Sequence, residues 1–207
     1  MIDYVEIFNE FKEKLTSENH VKTVDITNNI KDFFIEKFSK DFFVAPRKSH
    51  NVKEFLVDVT VSTRNPRDLI KFAGSKFRLL LAVESELGGV GAGSPKQLHA
   101  NVLEDFAKLL LVKSEYKILI FTSLANSIEQ NHIQDRVEEI HRAFRDVNHD
   151  TDILLIHLEA IPKKTNGRPT NPTINLKRDT MSAFLLSVDR GVITLDQLIE
   201  GYRQVES

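Results

Sequence analysis

Three acids stand where an apolar sheet tolerates them poorly. Asp58 interrupts EFLVDVTVS (54–62), and Glu84 and Glu86 close FRLLLAVESE (77–86), two segments otherwise dominated by Leu, Val, Phe and Thr. Side chains alternate faces along a strand, so Glu84 and Glu86 point the same way, about 7 Å apart. With 54–62 as the neighbouring strand, Asp58 lies beside them and three carboxylates converge. Uncompensated, such a group is costly, because burial strips each carboxylate of hydration and like charges repel. A hard divalent cation resolves the conflict, since Mg²⁺ takes one or two protein carboxylates and completes its shell with waters and phosphate oxygens. The ordinary alternative puts Glu84 and Glu86 at an exposed strand end, paired with Arg78 or Lys113, and leaves Asp58 facing solvent on an edge strand.

The elements that must position these acids follow from periodicity. Over 1–39 apolar residues recur at helical spacing (Val5, Phe8, Phe11, then Ile26, Ile30, Phe33, Phe34, Phe38), which predicts two helices broken at 16–20. The segments 54–62 and 77–86 read as strands forming an antiparallel hairpin. In SPKQ, Ser94 can cap a helix, Pro95 suits its first turn and Gln97 can complete a capping box. That helix carries Val102, Phe106 and Leu109 and ends near Lys113. KILIFTS (117–123) reads as a strand, a helix bears Ile133, Val137, Ile140, Phe144 and Val147, and DILLIHLEA (152–160) is a further buried strand. Strand, helix, strand implies parallel pairing through a crossover. The stretch 161–178, with five cations, three prolines and no acid, is expected to be an irregular basic loop, and 194–204 a helix opened by a Thr194/Gln197 box. The expected fold is a single α/β domain over 1–207, a mixed sheet flanked by helices on both faces.

With LVDVT, AVESELG and this order of elements in hand, the chain resembles the PD-(D/E)XK nuclease superfamily, the restriction-endonuclease-like fold, from about residue 33 to 158. There a helix precedes a strand bearing Asp and a following strand bearing Glu-x-Lys. Val57 stands where that motif has Pro, and Glu86 where it has Lys, making this a Glu-x-Glu variant; Lys96 and Lys108 are the cations available as substitutes. The resemblance implies a three-layer core over about 21–160 and Mg²⁺-dependent hydrolysis of DNA phosphodiesters, with Mn²⁺ able to substitute, in a restriction or related defence setting. It further implies Asp58 and Glu84 as metal ligands, Glu86 as ligand or base, and Glu36 as an additional metal ligand from the preceding helix. The alternative is a catalytically inactive nucleic-acid-binding or regulatory module of the same fold.

Cations that could take nucleic-acid phosphates are Arg64, Arg67, Lys71 and Lys96, with Lys163, Lys164 and Arg168 from the basic stretch. DNA is the expected partner, RNA the alternative, and a homodimer would cut both strands together. GGVGAGS follows a strand and precedes a helix, but Ser94-Pro95 replaces the Lys-Ser/Thr of a phosphate-binding loop, so a plain loop is expected. The seven His residues are scattered, without metal-ligand spacing. Hydrophobic residues at 41% and charged residues at 28% indicate a globular protein, and the absence of Cys removes disulfides, thiolate metal sites and thiol nucleophiles. A net charge of −2 argues against indiscriminate polyanion binding. The acidic N-terminal segment lacks the apolar core of a signal peptide, and no stretch is apolar enough to span a bilayer, so a soluble, cytoplasmic protein that avoids membranes is expected.

Overall fold

A computed structural model describes residues 2–16, 23–46, 53–68, 76–88, 93–125, 129, 131–147, 150–165 and 168–197. Its centre is a mixed eight-stranded sheet of order β1-β2-β3-β4-β5-β7-β8, with β6 paired to β5 off that path. β1 (Phe43–Ala45), β2 (Val59–Ser62) and β3 (Leu79–Glu86) pair antiparallel. α3 (Pro95–Leu111) then carries the chain across to β4 (Tyr116–Ser123), parallel to β3, and α4 (His132–Asp146) carries it to β5 (Ile153–Thr165), parallel to β4. β7 (Met181–Ser187) and β8 (Gly191–Thr194) close the sheet antiparallel. No helix among the described residues is long and apolar enough to cross a membrane.

The period of two along the strands sorts the core into two layers. Leu81 and Val83 of β3, Ile118 and Ile120 of β4, and Leu154 and Ile156 of β5 pack with α1 (Tyr4–Thr16) and α2 (Thr23–Phe38). The alternate residues Ala82, Leu119, Phe121 and Leu155 pack with Val102, Phe106 and Leu109 of α3 and Val137, Ile140 and Phe144 of α4. Helices thus cover both faces, as the apolar runs 79–83 and 118–121 require, because a strand buried on both sides has no room for alternating polar residues. Phe11 joins α1 to α2 through an edge-to-face pair with Phe33, centroids 5.5 Å apart, and Phe33 in turn meets Phe34 edge to face at 5.0 Å.

Three stretches differ from the sequence reading. The strand expected over 54–62 begins only at Val59, because Leu56 adopts φ of 68°, and Val57 N–H donates back to Phe55 at 2.9 Å. That turn presents Asp58 at the start of β2 instead of mid-strand. The expected irregular loop over 161–178 is largely a two-stranded ribbon, in which β5 continues to Thr165 and pairs with β6 (Arg168–Asn175). Pro162, Pro169 and Pro172 are tolerated because each strand of an isolated ribbon has an outward edge where no N–H is needed. The Asn166-Gly167 dipeptide between the strands was the overlooked hairpin signal. β7 and β8 fall in a stretch where no element was expected, although MSAFLLS is a short apolar run suited to a buried strand. The 194–204 helix lies mostly outside the described residues; its capping box is formed, with Thr194 N–H on Gln197 Oε1 at 3.0 Å and Gln197 N–H on Thr194 Oγ1 at 3.4 Å. At α3, Ser94 Oγ accepts from Gln97 N–H at 3.2 Å, while the Gln97 amide turns to Asn101.

Phe34 is fully buried between the α1–α2 pair and the sheet. Phe34→Ala should therefore cost roughly 3–5 kcal/mol in urea unfolding, and a loss below about 1 kcal/mol would contradict this account of the core.

Candidate active site

The antiparallel register that sets Val59 opposite Val83 brings Asp58, one step earlier, opposite Glu84. Asp58 N–H donates to Glu84 Oε2 at 3.4 Å, and Asp58 Oδ2 accepts from both Ser85 N–H at 3.0 Å and Ser85 Oγ–H at 2.6 Å. Its other oxygen, Oδ1, faces Lys31 Nζ of α2 at 3.7 Å, and the same ammonium pairs with Glu54 at 2.6 Å. Asp58 is thus held by β3 on one side and approached by a cation on the other.

Glu84 shares the face of Ala82, the face that α3 covers, and is only 3% exposed. α3 brings Asp105 and Lys108 over it: Lys108 Nζ lies 2.6 Å from Asp105 Oδ1 and 3.6 Å from Glu84 Oε1. One ammonium does not neutralise this neighbourhood. Burial, then the nearby charges of Asp58 and Asp105, push the Glu84 carboxyl from its ordinary 4.5 up to about 8, against the opposing pull of Lys108. Asp105 is also raised, first by burial. Burial of Glu84 and the pairing of Arg78 with Glu115 at 2.6 Å exclude the alternative of an exposed strand end bridged to Arg78.

The other expected site residues are placed less centrally. Glu86, two residues on and half-buried, accepts the Gly88 N–H at 2.7 Å through Oε1 and so shapes the end of β3. Glu36 is exposed and pairs with Lys14 of α1 at 3.1 Å. It lies five residues from Lys31 on α2, about 140° around the helix, so the helix turns Lys31 toward Asp58 and Glu36 away. Arg67 donates to the Glu54 carbonyl at 3.0 Å and lies over the Phe55 ring, on the loop leading to Asp58. Arg64 is half-buried just past β2, and Lys96 is exposed in the first turn of α3. Lys163 and Lys164 are exposed on β5, and Arg168 opens β6. Lys71 and most of the glycine-rich loop lie outside the described residues.

Asp105 was missed. Its signal was legible, since it falls three residues after Val102 and four before Leu109, inside the apolar stripe of α3. An acid in a buried stripe needs a partner, and here that partner belongs to the site. Compared with family models, curated proteins and solved structures, the chain matches none of them.

Among the described residues, no three carboxylates or imidazoles form a ready-made metal cage. Asp58 and Glu84 nevertheless supply hard oxygens that suit Mg²⁺, which needs no more than one or two protein carboxylates and would favour loss of the Glu84 proton. The raised Glu84 carboxyl also has a consequence for stability. The folded state holds that proton more tightly than the unfolded chain, so Glu84 favours folding least once both states have lost it. In EDTA, stability should fall as pH rises from about 4.5 to about 8, by up to about 1.4 kcal/mol per pH unit from this group. Urea titrations across that range should show the decline in the wild type and a flatter profile in Glu84→Gln; matching profiles would contradict the assignment.

Proposed function

We propose that this chain is a metal-dependent endonuclease that hydrolyses DNA phosphodiester bonds. The observation that carries the reading is the pairing of Asp58 with a Glu84 that is almost wholly buried yet left short of positive charge. A sheet does not retain such a pair for stability, because apolar residues in its place would cost less. The element order supports the PD-(D/E)XK resemblance: α2, an antiparallel β1-β2-β3 with Asp58 at the start of β2 and Glu84 near the end of β3, then α3 crossing to a parallel β4.

In this reading Asp58 and Glu84 hold Mg²⁺ or Mn²⁺. The ion would supply a polarised water and positive charge at the scissile phosphate. Ser85, with two hydrogen bonds to one oxygen, fixes the Asp58 carboxylate, while Oδ1 faces the Lys31 ammonium that a bound ion would displace. Lys108 holds Asp105 beside the pair and provides the cation that the Glu-x-Glu motif lacks at position 86. Glu86, bonded to the Gly88 amide, takes the lesser role of shaping the strand end. Cutting both strands together calls for two copies of the site, hence a homodimer.

Asp58→Asn and Glu84→Ala should each reduce Mn²⁺-dependent cleavage of DNA about a thousandfold, the equivalent of losing about 4 kcal/mol of transition-state stabilisation. Glu86→Gln should stay within about tenfold of the wild type. Metal-replete protein inactive on duplex and single-stranded substrates alike, or a Glu84→Ala variant as fast as the wild type, would sink the reading. A second reading, a non-catalytic nucleic-acid-binding module, is favoured by one observation: the Lys108 ammonium already offsets part of the acidic charge. Its mark would be nucleic-acid binding indifferent to EDTA and to Asp58→Asn, without cleavage.

A further inference from the structure

β5 does not end where the sheet ends. Its pairing with β4 stops at Glu159 and with β7 at Leu158, yet it runs on to Thr165 paired with β6 alone. Six further residues at about 3.3 Å each extend this two-stranded ribbon about 20 Å past the last sheet pairing, with its base rung, Ala160 and Ile174, still packed on the core. The stretch 161–178 contains Lys163, Lys164, Arg168, Lys177 and Arg178 and no acid, although the whole chain has a net charge of −2. Lys163 pairs across from Thr170, Lys164 from Pro169 and Thr165 from Arg168, which gathers three cationic positions into the last rungs. Lys163 and Lys164 are consecutive and exposed, so they stand on opposite faces of the ribbon.

That placement decides between ways of meeting a polyanion. A ribbon lying flat on a charged surface needs its cations on one face; a ribbon seated between two phosphate walls needs them on both. Two strands about 4.8 Å apart fit the B-DNA major groove, about 12 Å wide, whereas the A-form major groove of RNA is too narrow to admit them. The base of the ribbon abuts the end of β3: Pro172 of β6 packs so closely on Gly88 that a Cβ there would lie 2.8 Å from Pro172 Cγ, and Gly88 is the residue whose amide Glu86 holds.

We propose that the β5–β6 ribbon is a groove-inserting arm that selects B-form duplex DNA, with Lys163 and Lys164 facing the phosphates of opposite walls. The proposal rests on the nucleic-acid reading above but not on catalysis. The test is fluorescence anisotropy in EDTA with a DNA duplex, an RNA duplex of the same sequence and a single DNA strand, over a salt series. Lys163→Glu/Lys164→Glu should weaken DNA-duplex binding at least about tenfold and lower its salt slope by about 2, with little change for RNA duplex or single strand. Lys163→Gln/Lys164→Gln should fall between, and unchanged circular dichroism would show both variants folded. Wild type that does not bind DNA duplex, unchanged duplex affinity in the Glu variant, or an equal loss on all three ligands would overturn the proposal. A wild type that cleaves nothing but binds duplex with the expected sensitivity would remove the catalytic reading and leave this one standing.

Discussion

The arrangement at the carboxyl end of the sheet depends on one constraint, the cost of a carboxylate at Glu84 with 3% of its surface exposed. Desolvation and the neighbouring charges of Asp58 and Asp105 all act against ionisation, and Lys108 alone among the named influences of comparable kind pulls the other way through its charge. The local geometry follows from that imbalance. Asp58 is tied to Ser85 and approached by Lys31, Asp105 is tied to Lys108, and the backbone N–H of Asp58 points at Glu84. Each contact reduces the strain of clustered negative charge, and none removes it.

A site of this kind needs walls. The two-layer core supplies them, because α1 and α2 close one face of the sheet while α3 and α4 close the other. α3 serves twice, filling the space over Ala82 and Leu119 with Val102, Phe106 and Leu109 and delivering Asp105 and Lys108 from the same helix face. α2 likewise packs Ile30, Phe33 and Phe34 into the opposite layer and sends Lys31 around to Asp58. The base of the ribbon lies beside the end of β3, the strand that carries Glu84, through the Gly88–Pro172 contact.

Much of this was legible in the residues themselves. Helical spacing located α1 to α4, uninterrupted apolar runs located β3, β4 and β5, and the acids at 58 and 84 declared themselves by standing in apolar segments. These features are local, and periodicity reports which face of an element is buried regardless of its neighbours. Turn chemistry was harder to read. The positive φ at Leu56 has no residue signature, since a leucine rarely adopts it, and prolines in 161–178 obscured a ribbon whose outward edges accommodate them.

By itself, then, the sequence determined the α/β class, the buried face of each helix, and the presence of Asp58 and Glu84 as acids needing compensation. Only the tertiary structure decided what compensates them. Which cation meets which acid depends on strand register and helix placement: one step of register sets Asp58 against Glu84, and the turn of α2 selects Lys31 over Glu36. Those are contacts between elements far apart in the chain, where charge pairing is governed by distances of a few ångströms that no local pattern encodes.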